Sequence, residues 1–274
     1  MAHAVQLESL KGNDGLLLRE DRGPVALLTL NSPEARNCLS EGLIAALHGE
    51  IVGLGKDDAV RAIVITGAGS AFSSGHDLKE LTAHRGDPDR GRAYFAKIMS
   101  TCSVLMASIV RCPKPVIAAV NGIATAAGCQ LVASTDLAVA SRDASFATPG
   151  VNIGLFCSTP MVALSRNVGR KIAMEMLLTG DAVGAMEAKE FGLVNRVVEP
   201  GLVVDEAILL GERIASKPKL TVKTGKEAFY QQLEMPLDDA YAYASAIMVE
   251  TMLQAEAQEG IGAFLEKREP RWPR

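Results

Sequence analysis

The sequence lacks several features that would assign it to a specialised class of protein. Its 274 residues contain no uninterrupted apolar run that approaches the roughly 18 residues of a membrane-spanning helix. Aromatic residues make up only 4% of the chain, and the formal net charge is −4. An acidic chain has no general attraction to nucleic acid. We therefore expect neither a membrane nor a nucleic-acid partner, and an anionic ligand requires a local basic site.

Cysteine and histidine are too few and too scattered to indicate a bonded framework. The chain has five cysteines, no C-x-x-C pair, and four histidines that are far apart in sequence. This pattern predicts reduced thiols and no metal site. Residues 1–15 lack the apolar centre of a secretory signal and carry acidic side chains, unlike a transit peptide. We expect a cytoplasmic protein, or a mitochondrial-matrix protein if a presequence has been trimmed.

The apolar residues that are present alternate between two periodicities. Short buried-strand runs alternate with helical patterns up to about residue 200, and only helical patterns follow. The sequence therefore predicts an α/β core over residues 1–200 and a helical, oligomerising region over residues 201–274. The clearest strand runs are residues 25–30, 62–66, 115–120 and 137–140.

The C-terminal quarter of the chain predicts four helices, at residues 203–216, 219–233, 237–258 and 260–268. One of these helices has an apolar stripe that either packs on another subunit or packs on the core of its own chain. The pattern alone leaves both alternatives open. The stripe consists of Ala240, Ala244, Ile247, Met248 and Met252.

The stretch 121–141 joins a strand to a helix through unusually small residues. It opens with the turn Asn121-Gly122 and continues through six small side chains before an apolar helical pattern. The N–H groups at a helix start have no internal acceptor and carry part of the positive helix dipole. Small side chains allow another molecule to reach them. This stretch therefore predicts a site for an anion or for a developing oxyanion.

A second turn of small residues, at 67–79, follows the strand run at 62–66. Two separate N–H donors that converge on one carbonyl group form an oxyanion hole. A dinucleotide site is a weaker interpretation, because Phe72 stands where the third glycine of that fingerprint belongs. Ser73, His76 and Asp77 do not predict a catalytic triad either, since neighbours on an extended segment point to opposite faces.

Seven features in one order along the chain carry a family resemblance. They are RNCL at 36–39, AFSSGHDLK at 71–79, KPVIAAVNG at 114–122, Asp136, residues 177–180, residues 191–194 and GIGAFLEKR at 260–268. Together they resemble the crotonase (enoyl-CoA hydratase/isomerase) superfamily over nearly the whole length. Three segments, SSGHDLKELT, ATAAGCQLVAS and SFATPGVNIGLFCSTP, are similar to one subgroup of that superfamily.

The resemblance implies a fold, an assembly and a chemistry. The fold is an α/β spiral of ββα units with a C-terminal helical trimerisation region, assembled as a homotrimer or as a hexamer made of two trimers. The activity is that of an enoyl-CoA hydratase/isomerase enzyme, a lyase of fatty-acid and lipid metabolism, which stabilises an enolate at the thioester oxygen. Coenzyme A enters as part of the acyl-CoA substrate, and no cofactor is bound covalently.

The resemblance also assigns roles to individual positions. The two oxyanion-hole donors fall on the backbone N–H groups of His76 and Ala127. Phe264 and Lys267 match the C-terminal residues that close over coenzyme A. The remaining substrate-binding positions fall on Arg36, Cys38, Ser74, Asp77, Leu78 and Lys79.

The sequence departs from the family at the two catalytic acids. Hydratases of the family use two glutamates, and the corresponding residues here are Gln130 and Gly150. Neither has a titratable group, and general acid–base catalysis typically contributes about 10²–10⁴-fold, so we expect weak or altered hydration. Decarboxylation of a malonyl-type CoA and non-catalytic acyl-CoA binding are the alternatives. Substitute acids would have to come from Asp77, His84, Asp87, Asp143 or Glu175.

Overall fold

The structure is a computed structural model that describes residues 15–272. Residues 1–14 therefore lie outside the described residues, and they include all but the last residue of the segment that the signal-sequence prediction concerns. The described chain contains ten β-strands. They are β1 (Leu17–Arg22), β2 (Val25–Leu30), β3 (Ala62–Gly67), β4 (Ala71–Ser73), β5 (Val116–Val120), β6 (Ile123–Thr125), β7 (Leu137–Ser141), β8 (Ser145–Ala147), β9 (Val183–Gly184) and β10 (Arg196–Val198).

Eleven α-helices connect and cover these strands in the described part of the chain. Three further short segments are 3₁₀ helices, at Pro33–Ala35, His84–Gly86 and Pro149–Ile153. The α-helices are α1 (Glu41–Lys56), α2 (Leu78–Ala83), α3 (Arg92–Arg111), α4 (Ala127–Ser134), α5 (Pro160–Leu164), α6 (Arg170–Thr179), α7 (Ala185–Glu190), α8 (Val203–Ala215), α9 (Lys219–Gln232), α10 (Leu237–Met252) and α11 (Ala255–Leu265).

The observed helix boundaries differ from the predicted ones near the C-terminus. The single helix predicted over residues 237–258 is wrong, because α10 ends at Met252 and α11 begins at Ala255. The break is made by Gln254, whose backbone is extended with φ −75° and ψ 151°. Neither glycine nor proline marks it, so the pattern gave no signal. The helix predicted over residues 260–268 is also displaced, because Gly260 lies in the middle of α11, which ends at Leu265.

Two sheets are built from successive strand pairs. The larger sheet has the order β1-β2-β3-β5-β7-β10, and only β1 is antiparallel to its neighbour. The smaller sheet has the order β4-β6-β8-β9. Each pair β3/β4, β5/β6 and β7/β8 contributes its first strand to the larger sheet and its second to the smaller one, and a helix follows each pair. This repeat is the spiral of ββα units that the family resemblance implies.

The larger sheet is buried on both faces. Successive residues of a strand point to opposite faces, so Leu28 lies in the main core with α1 and α3 while Leu27 lies in a second cluster beneath α8. Burial on both faces explains why these strands read as continuous apolar runs. Helix α8 therefore packs against the sheet, whereas α9–α11 bury only Ala240 and Ala263 among their residues. The division at residue 200 stays a prediction.

Helix α3 meets the length and composition criteria for a membrane span. It has 20 residues and a mean hydropathy of 1.5, and no other helix among residues 15–272 meets these criteria. However, α3 buries one stripe that includes Ile98, Leu105 and Ile109 within the main core. A buried core helix passes the same test, so one such helix is weak evidence for a membrane span.

A buried ion pair joins α9 to the α/β core. The Lys226 ammonium donates to Asp136 Oδ2 at 2.6 Å and to two backbone carbonyl oxygens, and the two side chains are only 7% and 15% exposed. The Tyr230 hydroxyl donates to Asp136 Oδ1 at 2.9 Å, and the Val116 N–H donates to Oδ2 at 2.7 Å. Asp136 is part of the family resemblance, which assigns it no role. In the structure it anchors α9, the first of the outer helices, to the α/β core.

We predict that Lys226→Met lowers the free energy of unfolding by about 3–5 kcal/mol, because it leaves the Asp136 carboxylate buried without a countercharge. Urea denaturation measures the change. The exposed Lys223 on the same helix forms no ion pair within residues 15–272, so Lys223→Met is the control and changes stability by less than about 0.5 kcal/mol. Equal effects of the two variants would contradict the anchoring role.

Candidate active site

The ends of β4 and β6 bring two backbone segments, residues 73–76 and 125–128, into direct contact. Gly75 has φ +91°, and a Cβ atom placed on it would lie 2.9 Å from the Ala126 Cβ and 3.1 Å from the Ala127 nitrogen. A Cβ on Gly128 would lie 2.1 Å from the Ser73 carbonyl oxygen. Only glycine permits these approaches. The two small-residue turns singled out in the sequence therefore do face each other.

Each segment presents an N–H group without an acceptor. Ala127 is the first residue of α4, so its N–H has no intrahelical partner. No hydrogen bond from the N–H of His76 or of Ala127 to any described residue is present. All eight residues of α4 are buried, which keeps bulk water away from the helix start. The geometry can therefore accept an oxygen atom that carries negative charge.

Backbone strain accompanies this arrangement. Ala126 precedes α4 with φ 51° and ψ −117°. This region is normally restricted to glycine and costs about 1–3 kcal/mol for another residue. The Ala126 N–H is held by the Ala147 carbonyl oxygen at 2.9 Å. The strained residue immediately precedes the first N–H of α4, a feature that the small-residue composition did not reveal.

Two buried side-chain atoms at this junction have no hydrogen-bond partner. They are His76 Nε2 and Gln130 Oε1, and no other buried side-chain nitrogen or oxygen of the described residues shares this property. Gln130 is only 4% exposed. Burial lowers the pKa of His76 below its ordinary value of 6.5, so the imidazole is neutral at pH 7. The imidazole of His76 and the amide of Gln130 are therefore both uncharged polar groups, and no carboxylate stands at position 130.

The space beside Gly150, the position that the resemblance matches to a family glutamate, is filled by neighbouring residues of this chain. A Cβ atom on Gly150 would lie 2.9 Å from the Cys157 Sγ and 2.9 Å from the Leu155 carbonyl oxygen. The Leu155 N–H donates to the Gly150 carbonyl oxygen at 2.9 Å, which fixes the loop against it. The loop at residues 155–157 thus occupies the volume that a side chain at position 150 would need.

Several of the predicted coenzyme A positions lie together. The Cys38 thiol donates to Asp77 Oδ2 at 3.4 Å, and the Ser74 N–H donates to the Arg36 carbonyl oxygen at 3.0 Å. Asp77 Oδ1 accepts the N–H groups at the start of α2, including that of Lys79 at 2.8 Å. Burial, reinforced by Asp77, raises the pKa of Cys38 to about 11. Leu78 and Lys79 follow at the exposed start of the helix.

Burial alone would raise the pKa of the Asp77 carboxyl, but the N–H groups of Glu80 and Lys79 hold it below its ordinary value. The carboxylate is therefore charged and already used as a helix cap.

Asn37 connects the Arg36 turn to the β3–β4 turn, a role for which the sequence gave no explicit indication. Its buried amide accepts the Ser32 N–H at 2.9 Å and donates to the carbonyl oxygens of Ala68 and Ala71 at 2.9 and 2.8 Å. Its positive φ of 52° fits the tolerance of asparagine for left-handed backbone. In the sequence Asn37 is recognisable only as part of the motif at residues 36–39, and its positive φ could not be predicted from that motif.

Two predicted positions lie apart from this cluster. Phe264 is 82% exposed on α11, and Lys267 follows that helix on the surface. No hydrogen bond, ion pair or ring contact of the described residues joins either side chain to the residues around His76. Their role of closing over coenzyme A stays a prediction for an assembled oligomer.

None of the alternative acids is free at this site. His84 pairs with Asp87 at 2.8 Å and stacks on Tyr94 with ring centroids 3.6 Å apart. Asp143 and Glu175 are exposed. No group of three histidine, cysteine or acidic residues able to hold a metal ion occurs within residues 15–272. The five cysteines are free thiols. The imidazole of His76 is therefore the one titratable side chain within the two facing segments, residues 73–76 and 125–128.

Known proteins match this chain over almost its whole length. The family described as enoyl-CoA hydratase/isomerase matches residues 20–274. The chain belongs to this family. Enoyl-CoA hydratase domain-containing protein 3, mitochondrial, from Rattus norvegicus is 47% identical over 245 residues, which cover 89% of this chain and 80% of the relative. The Homo sapiens protein of the same name is 48% identical over 245 residues, covering 89% and 79%.

Solved structures of this family share the fold. The crystal structure of human enoyl Coenzyme A hydratase domain-containing protein 3 has a TM-score of 0.89 and 46% identity, covering 94% of this chain and 100% of that one. An enoyl-CoA hydratase from Mycobacterium smegmatis has a TM-score of 0.89 and 53% identity, with coverage of 94% and 98%. The crotonase fold and the subgroup that the three segments indicated, domain-containing protein 3, are confirmed.

We predict that Ala126→Gly stabilises this family member by about 1 kcal/mol, because glycine relieves the strain at φ 51° by more than it adds to the entropy of the unfolded chain. Thermal or urea unfolding measures the effect. Ala45→Gly is the matched control inside α1, and it loses about 1 kcal/mol. A loss of stability in both variants would show that the backbone at Ala126 is unstrained.

We also predict that the His76 imidazole titrates below 6.5, its ordinary pKa, because burial disfavours its charged form. At a pH between the pKa values of His76 in the folded and the unfolded chain, the unfolded chain binds more protons than the folded chain does. The contribution of His76 to stability is therefore complete above pH 6.5 and declines as the pH falls below it. Nitrogen-15 NMR titration, with the signal assigned by His76→Gln, measures this. A midpoint at or above the ordinary value would contradict the burial of the ring.

Proposed function

We propose that this protein binds acyl-CoA thioesters and stabilises the enolate form of the acyl group through the N–H groups of His76 and Ala127. The observation that carries this proposal is the contact between the two segments, in which Gly75 approaches the Ala127 nitrogen closely and both N–H groups lack an acceptor. Membership of the enoyl-CoA hydratase/isomerase family supports the substrate class.

In the proposed mechanism the thioester oxygen accepts both N–H groups. Negative charge moves onto that oxygen as the enolate forms, and donors that are already fixed need no reorganisation. The N-terminal dipole of α4 adds to this stabilisation. Removal of one donor of this kind typically costs about 10²–10³-fold in rate. The buried surroundings of Ala127 strengthen the effect because they exclude water.

We place coenzyme A along the cluster between the Arg36 turn and the start of α2. The positive charges of Arg36 and Lys79 suit its phosphates, and both side chains are exposed. Cys38, Ser74 and the Asp77–Leu78 segment would line the path of the ligand. Phe264 and Lys267 would cover the ligand from α11.

We further propose a homotrimer, or a hexamer of two trimers, formed through α9–α11. Packing of the α10 stripe on its own chain buries Ala240 and partly buries Ile247, but Met248 and Met252 remain 63% and 51% exposed. Large exposed apolar side chains of this kind favour a protein interface. The other large ones on these helices and their connections include Leu233, Leu237, Tyr241, Leu253 and Phe264.

The hydration reaction of the family is expected to be weak here. The amide of Gln130 cannot transfer a proton in the useful pH range, and Gly150 has no side chain. The compartment is proposed as the cytoplasm, or the mitochondrial matrix that the word "mitochondrial" in the relatives' names indicates. The five free thiols suit either reducing compartment.

Decarboxylation of a malonyl-type CoA is the second candidate. Loss of CO₂ breaks a carbon–carbon bond and leaves its electron pair as the same enolate, so no base has to remove a proton. The enolate carbon then takes a proton from water to give the acyl-CoA product. The observation that favours it is that the N–H groups of His76 and Ala127 have no acceptor in the described chain, while Gln130 and Gly150 supply no base. Non-catalytic binding of acyl-CoA is the remaining alternative.

We predict that the wild-type chain hydrates crotonyl-CoA slowly and that Gln130→Glu increases the rate by up to about 10²-fold, because a carboxyl group at position 130 can transfer a proton. Gly150→Glu is unsuitable as a restoring variant because its Cβ would collide with Leu155. Gln231→Glu, the same change on the exposed surface of α9, is the control and has no effect. Mass spectrometry measures the product.

The outcomes separate the candidates. Rapid hydration by the wild type would contradict the importance of the missing acids. Release of CO₂ from methylmalonyl-CoA would establish the second candidate. Calorimetric binding of acyl-CoA esters without any product would identify a binding protein, and absence of binding to all esters would overturn the proposed function.

A further inference from the structure

A cavity with mainly basic side chains in its lining lies at the amino ends of β3 and β5. Its volume is about 260 Å³, and it is enclosed by the end of α1, the residues before these two strands, the end of α8 and the start of α9. This volume is just below the roughly 300–1,000 Å³ of typical small-molecule pockets. The charged residues of the lining are Lys56, Asp58, Arg61, Lys114, Lys219 and Lys223.

The cavity is separate from the candidate active site. Arg61 and Pro115 directly precede β3 and β5, whereas the two facing segments follow the opposite ends of these strands, after β4 and β6. The strands β3 and β5 are parallel neighbours of six and five residues, a length that corresponds to roughly 15–20 Å. A ligand in the cavity would therefore lie at the other edge of the larger sheet.

The positive charge of the lining is not balanced by the protein. Five basic side chains and one acidic side chain give the lining a formal charge of +4, although the whole chain carries −4. The one acid, Asp58, already pairs with Lys219. Three cations, Lys56, Arg61 and Lys223, form no ion pair with any residue that the structure describes. Like charges around one cavity repel each other, and an anion in the cavity would remove this repulsion.

Two of the basic side chains are held in place by the backbone. The buried Lys114 ammonium donates to the carbonyl oxygens of Leu54 and Asp57 at the end of α1. The Arg61 guanidinium donates from Nη2 to the Lys217 carbonyl oxygen at 2.7 Å, and its other N–H groups form no hydrogen bond with a described residue. A guanidinium of this kind matches the geometry of phosphate and carboxylate oxygens. Because Arg61 is already oriented, binding immobilises it at a lower cost in entropy.

We propose that this cavity binds a small molecule that carries a phosphate group on a compact apolar body. A phosphate monoester carries about −1.5 to −2 charges at pH 7 and offers three acceptor oxygen atoms, which suits the three unpaired cations. The apolar body would contact Val60, Ile214 and Val222, which also line the cavity. Since the lining comes from both the α/β core and α9, the bound molecule would link α9 to the core.

The test is calorimetry with the full chain in phosphate-free buffer, with phenyl phosphate as the probe. We expect Lys56→Gln and Lys223→Gln each to weaken binding about tenfold, as the loss of one hydrogen bond to a charged group predicts. Two matched controls should bind phenyl phosphate as the wild type does. Lys79→Gln removes a charge at the proposed coenzyme A site, and Lys189→Gln removes an exposed charge on α7.

Each outcome bears on the cavity alone, because binding of acyl-CoA is measured separately. Absence of phenyl phosphate binding by the wild type would overturn the inference and leave the proposed function intact. Weaker binding in Lys79→Gln but not in Lys56→Gln would assign the phosphate to the coenzyme A site, and an equal loss in Lys189→Gln would show unspecific attraction. Either result would overturn the inference.

Hydrogen–deuterium exchange of the wild type locates the probe even if a variant does not fold. Phenyl phosphate should slow the exchange of backbone amides at the end of α1 and at the start of α9, which meet at the cavity. Sodium chloride at the same ionic strength should leave both segments unchanged. Unaltered exchange at these two segments with bound phenyl phosphate would contradict the proposed location.

Discussion

The site depends on one steric constraint, the direct contact between the backbones that follow β4 and β6. A Cβ atom at Gly75 or Gly128 would come within 3 Å of the opposite segment, so the chain must lack side chains at these two points. The contact follows from the topology, because successive ββα units place β4 beside β6 in the smaller sheet. His76 and Ala127, which are 51 residues apart in sequence, therefore belong to two segments that lie against each other.

This close contact has structural costs that the rest of the molecule offsets. The strained backbone at Ala126 leads directly into the buried helix α4, and two of the three hydrogen bonds of the buried Asn37 amide hold the turn before β4. Strain persists in this way only where the surrounding structure determines the conformation. The larger sheet, packed on both faces, supplies that rigidity, and the Lys226–Asp136 pair fastens the outer helices to it.

Local patterns predicted much of this arrangement, whereas contacts between distant residues could not be predicted from them. The strand runs are confirmed, because each depends on a few neighbouring residues. The break between α10 and α11 left no glycine or proline signal, and the partner of Lys226 lies 90 residues away in sequence. The unpartnered atom of Gln130 depends on what surrounds its side chain, which no spacing rule encodes.

The two departures from the family's catalytic pair differ in physical kind. Glutamine has nearly the shape of glutamate, so Gln130 keeps a buried polar group in place and removes only its charge and its proton. Gly150 removes the whole side chain, and the loop at residues 155–157 packs into the space. A charge can be restored at Gln130 without repacking, but a side chain at Gly150 requires the loop to move. Position 130 therefore keeps a buried group that can form hydrogen bonds, whereas the packing around Gly150 leaves no room for any side chain.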